Sequence, residues 1–392
     1  MRMKKIMILA VAAIALVACS RTFEKHETEG KAIGFGTWSE VMTKTVTPDD
    51  QRVQGSNTFR EGDSFAVYGY KSASDDTGKS TVFDDDVVVA TAESGDPVAA
   101  TAWDYNNHRF WDSHYDKYVF FGVSPSSFGT SGNVNAQTGA ISTEVTFSGK
   151  DSDVLIANKT TVNKTDGSGN FNNHATVNLV FNHAASLVDV IVKKDPALAD
   201  ATVKVTKFEL RKIQSKGTLS VSAYDGTTTK PTIALANWDW DDSTTATYDT
   251  DDCVGTVDLD VAAGTDTNFP GSTTSDIPAT SAVKVIDNLV VMPQAFDTDK
   301  DADSQQIVFD YTLTVTDGAS NTSTNTYTDN TLYLCDFDYI DNETQAATFV
   351  PSWEPGKHYI FYITIDANAI TFSGTINGWD PTTVNGYNYL VN

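Results

Sequence analysis

The sequence predicts an all-β protein built from two tandem β-sandwich domains of the transthyretin-like or Greek-key kind. Short segments rich in Val, Ile, Tyr and Phe alternate with stretches crowded with Thr, Ser, Asp, Asn and Gly. No long stretch repeats apolar residues with the i, i+3, i+4, i+7 spacing of an amphipathic helix. A length of 392 residues is typical of two domains rather than one.

Alternation of apolar and polar side chains predicts the individual strands. In residues 64–70, Phe65 and Val67 point to one side, and Ala66 and Tyr68 point to the other. Similar strands are predicted at residues 117–124, 141–147, 175–181, 186–192, 202–210, 307–315 and 331–337. A hairpin is predicted from residues 359–365 and 370–376, joined by a turn at 366–368.

The predicted domain boundary is weakly marked. Polar interruptions lie at residues 193–196 and 214–217, and the second is favoured because a sandwich needs about seven strands. The N-terminal sandwich is then residues 33–215, and the C-terminal sandwich is residues 216–392. Residues 239–252 and 262–281 are predicted to be loops.

The N-terminus is interpreted as a lipoprotein signal peptide. Residues 1–18 contain Arg2 and two lysines, followed by an apolar run of about a dozen residues, shorter than the roughly 20 that span a bilayer. Ala18 directly precedes Cys19, as in a bacterial lipobox, so Cys19 is the predicted lipidation site and residues 19–32 a tether. The expected location is the outer membrane and cell surface.

The net charge narrows the classes of partner, and the cysteine content limits the possible disulfides. The chain has 52 acidic and 27 basic residues, a net charge of -25, which argues against nucleic acid and anionic membrane surfaces as partners. Besides Cys19, the only thiols are Cys253 and Cys335. Two alternatives stay open for them, namely a disulfide or two buried small hydrophobic residues.

No catalytic or metal-binding motif stands out, so we expect no enzyme activity, no cofactor and no metal. The six histidines form no HExxH arrangement, and His183 is interpreted as a core or edge histidine. Alternating carboxylates at residues 297–303 suggest calcium, but Ser304 stands where a calcium loop needs Gly, and Asp310 lies in a predicted strand. A solvated turn is the favoured interpretation.

Tryptophan raises a second functional hypothesis, a surface glycan-binding lipoprotein. Exposed Trp and Tyr side chains could stack on sugars, although in a sandwich they more often lie between the sheets. The choice stays open for Trp238 and Trp240, which project to the same side of an extended segment. The other tryptophans considered are Trp103, Trp111, Trp353 and Trp379.

An ordered set of short motifs resembles the fimbrillin family, the lipoprotein precursors of type V pilus subunits and their anchor and tip proteins. The set spans most of the mature chain and follows the lipobox. It comprises Ile33-Gly34-Phe35, Phe59-Arg60-Glu61-Gly62-Asp63, Trp111 with Tyr118-Val119-Phe120-Phe121, Asp153-Val154-Leu155-Ile156-Ala157, Phe181-Asn182-His183-Ala184-Ala185, Val291-Met292-Pro293-Gln294 and Trp353-Glu354-Pro355-Gly356.

The resemblance implies assembly by strand exchange with other fimbrial subunits, in homo- or heteropolymers that support adhesion to host or bacterial surfaces. A protease outside the cell would remove the first strand, here residues 31–38 with Ile33 and Phe35, and open an apolar groove. Family members are cut after an arginine in the following loop. The basic candidates here are Lys44, Arg52 and Arg60, and an enzyme strictly specific for arginine would have to use Arg52.

The C-terminal tail is the candidate donor strand. Residues 386–391 alternate, with Tyr387, Tyr389 and Val391 on one face. A plain final strand of the sandwich is the alternative, so a stalk, tip or anchor position stays open.

Overall fold

The computed structural model describes residues 32–37, 59–95, 99–129, 132–147, 153–165, 176–195, 198, 201–224, 228–240, 245–249, 282–341, 346–349, 352–365 and 370–378. Within these residues the chain forms β-strands and a few single-turn 3-10 helices, which confirms the all-β prediction. The strands are β1 (Gly34–Thr37), β2 (Ser64–Ser72), β3 (Ser80–Ser94), β4 (Ala99–Tyr105), β5 (Lys117–Ser124), β6 (Ile141–Thr146), β7 (Leu155–Ala157), β8 (Thr160–Asn163), β9 (Thr176–Leu179), β10 (Phe181–His183), β11 (Ser186–Lys194), β12 (Ala201–Gln214), β13 (Lys216–Val221), β14 (Trp238–Trp240), β15 (Thr245–Asp249), β16 (Ala282–Val291), β17 (Gln294–Ala295), β18 (Gln306–Thr316), β19 (Thr322–Tyr333), β20 (Asp338–Asp341), β21 (Ala346–Phe349), β22 (Ser352–Trp353), β23 (Lys357–Ile365) and β24 (Ile370–Gly378).

The N-terminal region is organised around a seven-stranded sheet whose central strands, β2 and β5, are buried on both faces. Its strand order is β10-β7-β5-β2-β3-β4, and β8 also pairs with β5. Phe65 and Val67 of β2 belong to one hydrophobic cluster, whereas Ala66 and Tyr68 belong to another on the opposite face. The predicted division of this strand into two faces is therefore correct, and both faces are apolar because each is covered.

Different layers cover the two faces of this sheet. A parallel pair of strands, β1 and β9, contributes Ile33, Phe35, Val177 and Leu179 to the cluster that contains Phe65. A three-stranded sheet, in the order β14-β13-β6, contributes to the other cluster. The strand β1 thus lies over one face of the central sheet without being hydrogen-bonded into it.

The C-terminal region is a sandwich of a six-stranded and a four-stranded sheet. The six strands follow the order β16-β11-β23-β24-β20-β21, and the four strands follow the order β15-β12-β18-β19. Their facing residues, such as Val190 of β11, Phe361 of β23, Phe208 of β12 and Phe309 of β18, form one buried cluster. This is the usual packing of two sheets through their alternating inward side chains. Cys335 is a buried free thiol of this cluster, and Cys253 lies outside the described residues.

Strand pairing does not follow the expected division at residues 215 and 216. Strand β11 pairs with β16 and in parallel with β23, and β12 pairs with β15 and β18, so residues 186–214 complete the C-terminal sheets. The next segment returns, because β13 pairs with β6. Counting strands along the chain cannot detect such a crossing, since β11 and β23 pair across more than 160 residues.

Three local expectations also differ from the structure. The strand expected at 175–181 is two strands, β9 and β10, which lie in different sheets. The strand expected at 331–337 ends at Tyr333 and continues as a 3-10 turn, Leu334–Asp336. The loop expected at 239–252 overlaps the end of β14 and contains β15, which pair with β13 and β12. In the first and third cases a long-range partner, and not local pattern, decides the structure.

Candidate functional site: the groove beneath the first strand

The first strand is held mainly by two side chains that enter the core. Ile33 has no exposed surface, and Phe35 is 7% exposed, whereas Gly34 and Gly36 between and beyond them are half-buried. The alternation places both apolar side chains on the inner face of β1. Burying two such side chains is worth roughly 1.5–3 kcal/mol each, so they dominate the docking of a strand this short.

An aromatic cage surrounds Phe35. Its ring centroid lies 5.4 Å from that of Phe83 and 5.5 Å from that of Tyr105. The rings of Phe65 and Phe120 are each 6.0 Å away. All four contacts are edge-to-face, which is the favourable geometry for aromatic pairs. Without Phe35, the four rings would line an open apolar groove.

Hydrogen bonds fix the backbone of the strand on two sides. Residues Gly34–Thr37 form a parallel ladder with Thr176–Leu179. On the other side, the Ile33 amide donates to the Arg109 carbonyl at 2.8 Å, and the Tyr105 hydroxyl donates to the Ile33 carbonyl at 2.9 Å. Burial raises the pKa of Tyr105 above its ordinary value, which already lies well above neutral pH.

The far end of the groove is closed by Phe59, where the described chain resumes. Its ring is 5.2 Å from the rings of Trp103 and Phe181. The next residue, Arg60, forms an ion pair with Glu93, with 2.8 Å between Nε and Oε2. That ion pair raises the pKa of Arg60, and the Arg60 amide donates to Asp63 at 2.7 Å.

The sequence-predicted site residues are thus only partly brought together. Ile33 and Phe35 lie side by side in the groove, and Arg60 lies beside its closed end. The remaining predicted residues, namely Cys19, Lys44, Arg52, Tyr387, Tyr389 and Val391, lie outside the described residues.

Sequence reasoning missed two walls of the cage, Phe83 and Tyr105. Phe83 precedes the acidic run Asp84 to Asp86, and this run obscures the alternating pattern of β3. Asp85 has a φ of 63° and forms a bulge that shifts the register between β2 and β3. A run of three carboxylates does not predict a strand. The residues that favour a strand are Phe83 before the run and three valines after it.

The described tryptophans are used in packing. Trp111, Trp238 and Trp353 are buried. The Trp238 indole donates to the Ala184 carbonyl at 3.1 Å, and the partly buried Trp240 donates to the Pro293 carbonyl at 2.7 Å. Trp103 is packed against the cluster around the groove, and Trp379 lies outside the described residues. The open question about Trp238 and Trp240 is therefore answered in favour of a core role.

The remaining candidates have structural roles. The buried His183 ring contacts the buried Asp153 carboxylate at 3.0 Å, as expected of a core histidine. In the acidic segment 297–303, the Asp301 carboxylate accepts the Asp303 amide at 2.8 Å, which lowers the pKa of Asp301. This carboxylate organises a turn. Across the described ranges, no group of three or more His, Cys, Asp or Glu residues is arranged to hold a metal ion.

In the described part of the chain, no helix has the length and apolar character needed to cross a bilayer.

Known proteins similar to this chain were found by a family model and among solved structures. Residues 51–379 match the family model described as fimbrillin-like. No curated protein matches the chain. Solved structures similar to the chain include a fimbrial protein from Bacteroides vulgatus, with a TM-score of 0.49, 16% identity, and coverage of 89% of this chain and 99% of that one. A fimbrilin from Porphyromonas gingivalis has a TM-score of 0.33 and 10% identity, and the match covers 90% of this chain and 98% of that one. Because the family model spans most of the sequence, the chain belongs to the fimbrillin-like family.

Proposed function

We propose that this protein is a structural fimbrial subunit or pilus-associated lipoprotein that is assembled by donor-strand exchange and supports adhesion. It would be exported as a precursor lipidated at Cys19, placed in the outer membrane and processed at the cell surface. The observation that carries this proposal is the placement of β1. A short strand with Ile33 and Phe35 buried in a cage contributed by other strands can be replaced by a strand of the same pattern.

The free energies of apolar burial and backbone hydrogen bonding favour replacement of β1 by another strand over its loss without replacement. If β1 left without replacement, four aromatic rings and the backbone of Thr176–Leu179 would be exposed to water. Both consequences are unfavourable, since apolar surface is hydrated and an edge loses its ladder partner. An incoming strand from another subunit restores the burial and the hydrogen bonds together.

The contacts of Arg60 support a processing site upstream of this residue. A protease binds its substrate in an extended conformation, whereas Arg60 is engaged by Glu93 and Asp63. The neighbouring Phe59 carbonyl also accepts the Ala100 amide at 2.6 Å. Cleavage is therefore proposed upstream of Phe59, at Arg52 by an arginine-specific enzyme or at Lys44 by a lysine-tolerant one.

The proposed assembly can be tested with the full chain and an arginine-specific protease. Processed protein should form ladders on gels without boiling and fibres by electron microscopy. The Arg52→Gln variant should stay uncut and monomeric, whereas the Arg60→Gln variant should assemble normally. Polymerisation of uncut protein, or processed protein that stays monomeric, would contradict donor-strand exchange.

Lipidation and the donor tail are tested separately. Cells expressing the wild-type chain should label it with a palmitate analogue, and the Cys19→Ala variant should take up none. A chain truncated before Pro381 lacks Tyr387, Tyr389 and Val391. If they form the donor strand, this truncated chain should accept a strand but not extend a fibre. Fibres of normal length from it would exclude the donor role.

A further inference from the structure

The four-stranded C-terminal sheet ends in a long strand, β19, whose outer edge pairs with no other described strand. Strand β19, Thr322–Tyr333, is the last strand in the order β15-β12-β18-β19 and pairs with β18 alone among the described strands. Its residues from Thr322 to Thr326 are all exposed. A strand paired on one side only leaves alternate N–H and C=O groups on its other side without a ladder partner.

This edge lacks the residues that usually block pairing with another chain. Natural edge strands often carry lysine, proline or inward-pointing charge. Strand β19 contains no Lys, Arg or Pro, and its single charged residue is Asp329. Asp329 has a φ of 53° and marks a bulge, where its amide donates to Asp310 at 2.7 Å. The segment 322–328, which precedes the bulge, is therefore a regular and uncharged edge.

The hairpin that presents this edge is already ordered. At its turn, Asp317 accepts the amides of Ala319 at 2.9 Å and Asn321 at 2.8 Å. Along the ribbon, the hydroxyls of Thr314 and Thr324 are 2.9 Å apart. Further along, the rings of Tyr311 and Tyr327 stack at 4.6 Å with an interplanar angle of 9°. A preorganised edge loses little conformational entropy on pairing.

The distribution of charge favours a second copy of the chain as the partner of this edge. The protein carries a net charge of -25, so most approaches of one copy to another are repulsive. Residues 319–328 contain no charged side chain and no large apolar side chain except Tyr327. This ribbon therefore offers a place where a second copy can approach without bringing carboxylates together, and its backbone groups are self-complementary in the antiparallel direction.

We propose that two copies of the chain pair antiparallel through residues 322–328 of β19, around a two-fold axis near Asn325. The four-stranded sheets of the two copies then form one continuous sheet. The contact is small, so free chains associate weakly, and screening of the remaining charge by salt strengthens the association. This inference needs no exchange of β1 and stands apart from the proposed assembly.

A charge-swap experiment tests the contact on the full, unprocessed chain. Around the two-fold axis, Asn325→Asp or Asn325→Lys would place two like charges opposite each other, which weakens pairing by about tenfold. Mixing the two variants would place opposite charges together. In sedimentation velocity runs at about 0.15 M NaCl, where the screening length of about 8 Å still lets directly opposed charges interact, we expect wild-type self-association, loss in each variant and recovery in the 1:1 mixture.

Matched controls use Ser220, an exposed residue of β13, which pairs with Ser142 of β6 on one side and accepts a hydrogen bond from the Asn237 side chain at its carbonyl. The Ser220→Asp and Ser220→Lys variants should associate as the wild type does. Wild-type protein that sediments as a monomer at every concentration would overturn the proposal. So would Asn325→Asp and Asn325→Lys variants that each self-associate as strongly as the wild type.

Cross-linking tests the register of the pair. Directly opposed residues of antiparallel strands have Cα atoms about 4.5–5.5 Å apart, within the range of a disulfide. Under mild oxidation, Asn325→Cys should therefore give several-fold more covalent dimer than Ser220→Cys. Equal yields from the two variants would exclude a two-fold axis near Asn325.

Discussion

The two peripheral strands β1 and β19 are attached to the molecule in opposite ways. Strand β1 has four residues and is held by Ile33 and Phe35, which are buried among side chains from several other strands. Strand β19 has 12 residues and is held by a long backbone ladder to β18, with most of its side chains exposed. A strand held by a few buried apolar side chains can be replaced by another strand with the same pattern. A strand held by a backbone ladder stays in place, and its outer edge can pair with a further strand.

The largest expected effect is at the anchor of β1. Phe35→Ala should lower the free energy of unfolding by about 3–5 kcal/mol, because it removes a ring from a closed aromatic cage. Urea unfolding measures the loss, and binding of a hydrophobic dye reports the opened groove. Gly34→Ala is the matched control, since a Cβ at Gly34 meets no atom within 4 Å. A loss below about 1 kcal/mol in Phe35→Ala would show that β1 is held by its ladder instead.

A smaller effect is expected at the hydroxyl that clamps β1. Tyr105→Phe removes the donor to the Ile33 carbonyl and the acceptor of the Arg109 amide at 3.0 Å. Losing a buried hydrogen bond costs about 1–3 kcal/mol. The comparison predicts no such loss for Tyr327→Phe on β19, where the ring is used for stacking on Tyr311. Equal losses in both variants, measured by urea unfolding, would remove the distinction between the two strands.

The sequence predicted the inner residues of the groove better than its walls. Strict alternation in Ile33-Gly34-Phe35 and in β2 was sufficient to place these side chains on an inner face. Tyr105 and Phe83 could not be placed, because their role depends on which strand lies above them. The same reason explains why the pairing of residues 186–214 could not be predicted, since their partners β16, β18 and β23 lie far away in the sequence.

The edge character of β19 was also beyond sequence reasoning. Its Thr and Asn content gives a period-2 pattern without an apolar face, and residues 318–330 were not predicted to be a strand. The strand forms because β18 carries the apolar face, with Phe309 and Leu313 buried, and β19 needs only to complete its ladder. A polar strand beside an apolar one is stabilised by its partner and not by its own propensity.

A still smaller effect on stability is expected at Arg60, which follows the proposed cleavage region. Glu93→Gln removes the charge that holds Arg60, and a partly exposed ion pair contributes only about 0.2–1 kcal/mol to stability. The rate of trypsin cleavage after Arg60 should nevertheless rise, because the side chain becomes free to enter the protease. Lys216→Gln, which breaks the ion pair with Glu144, is the control and should leave that cleavage rate unchanged. An unchanged rate in Glu93→Gln would mean that the bond is protected by the backbone, where the Phe59 carbonyl accepts the Ala100 amide and the Gly62 amide donates to the Ala90 carbonyl.

The smallest expected effect is a change in amide exchange rates that is confined to the hairpin of β18 and β19. Hydrogen bonds from Asn321 and Ala319 lower the pKa of the exposed Asp317 carboxylate. A lowered pKa stabilises the turn above the ordinary aspartate range near 3.9, and this contribution is lost as the pH falls through the folded value. Amide exchange at Ala319 and Asn321 should therefore speed up several-fold in Asp317→Ala, while exchange in β1 stays constant. A change in β1 exchange would show that the two strands are coupled, contrary to the separate modes of attachment.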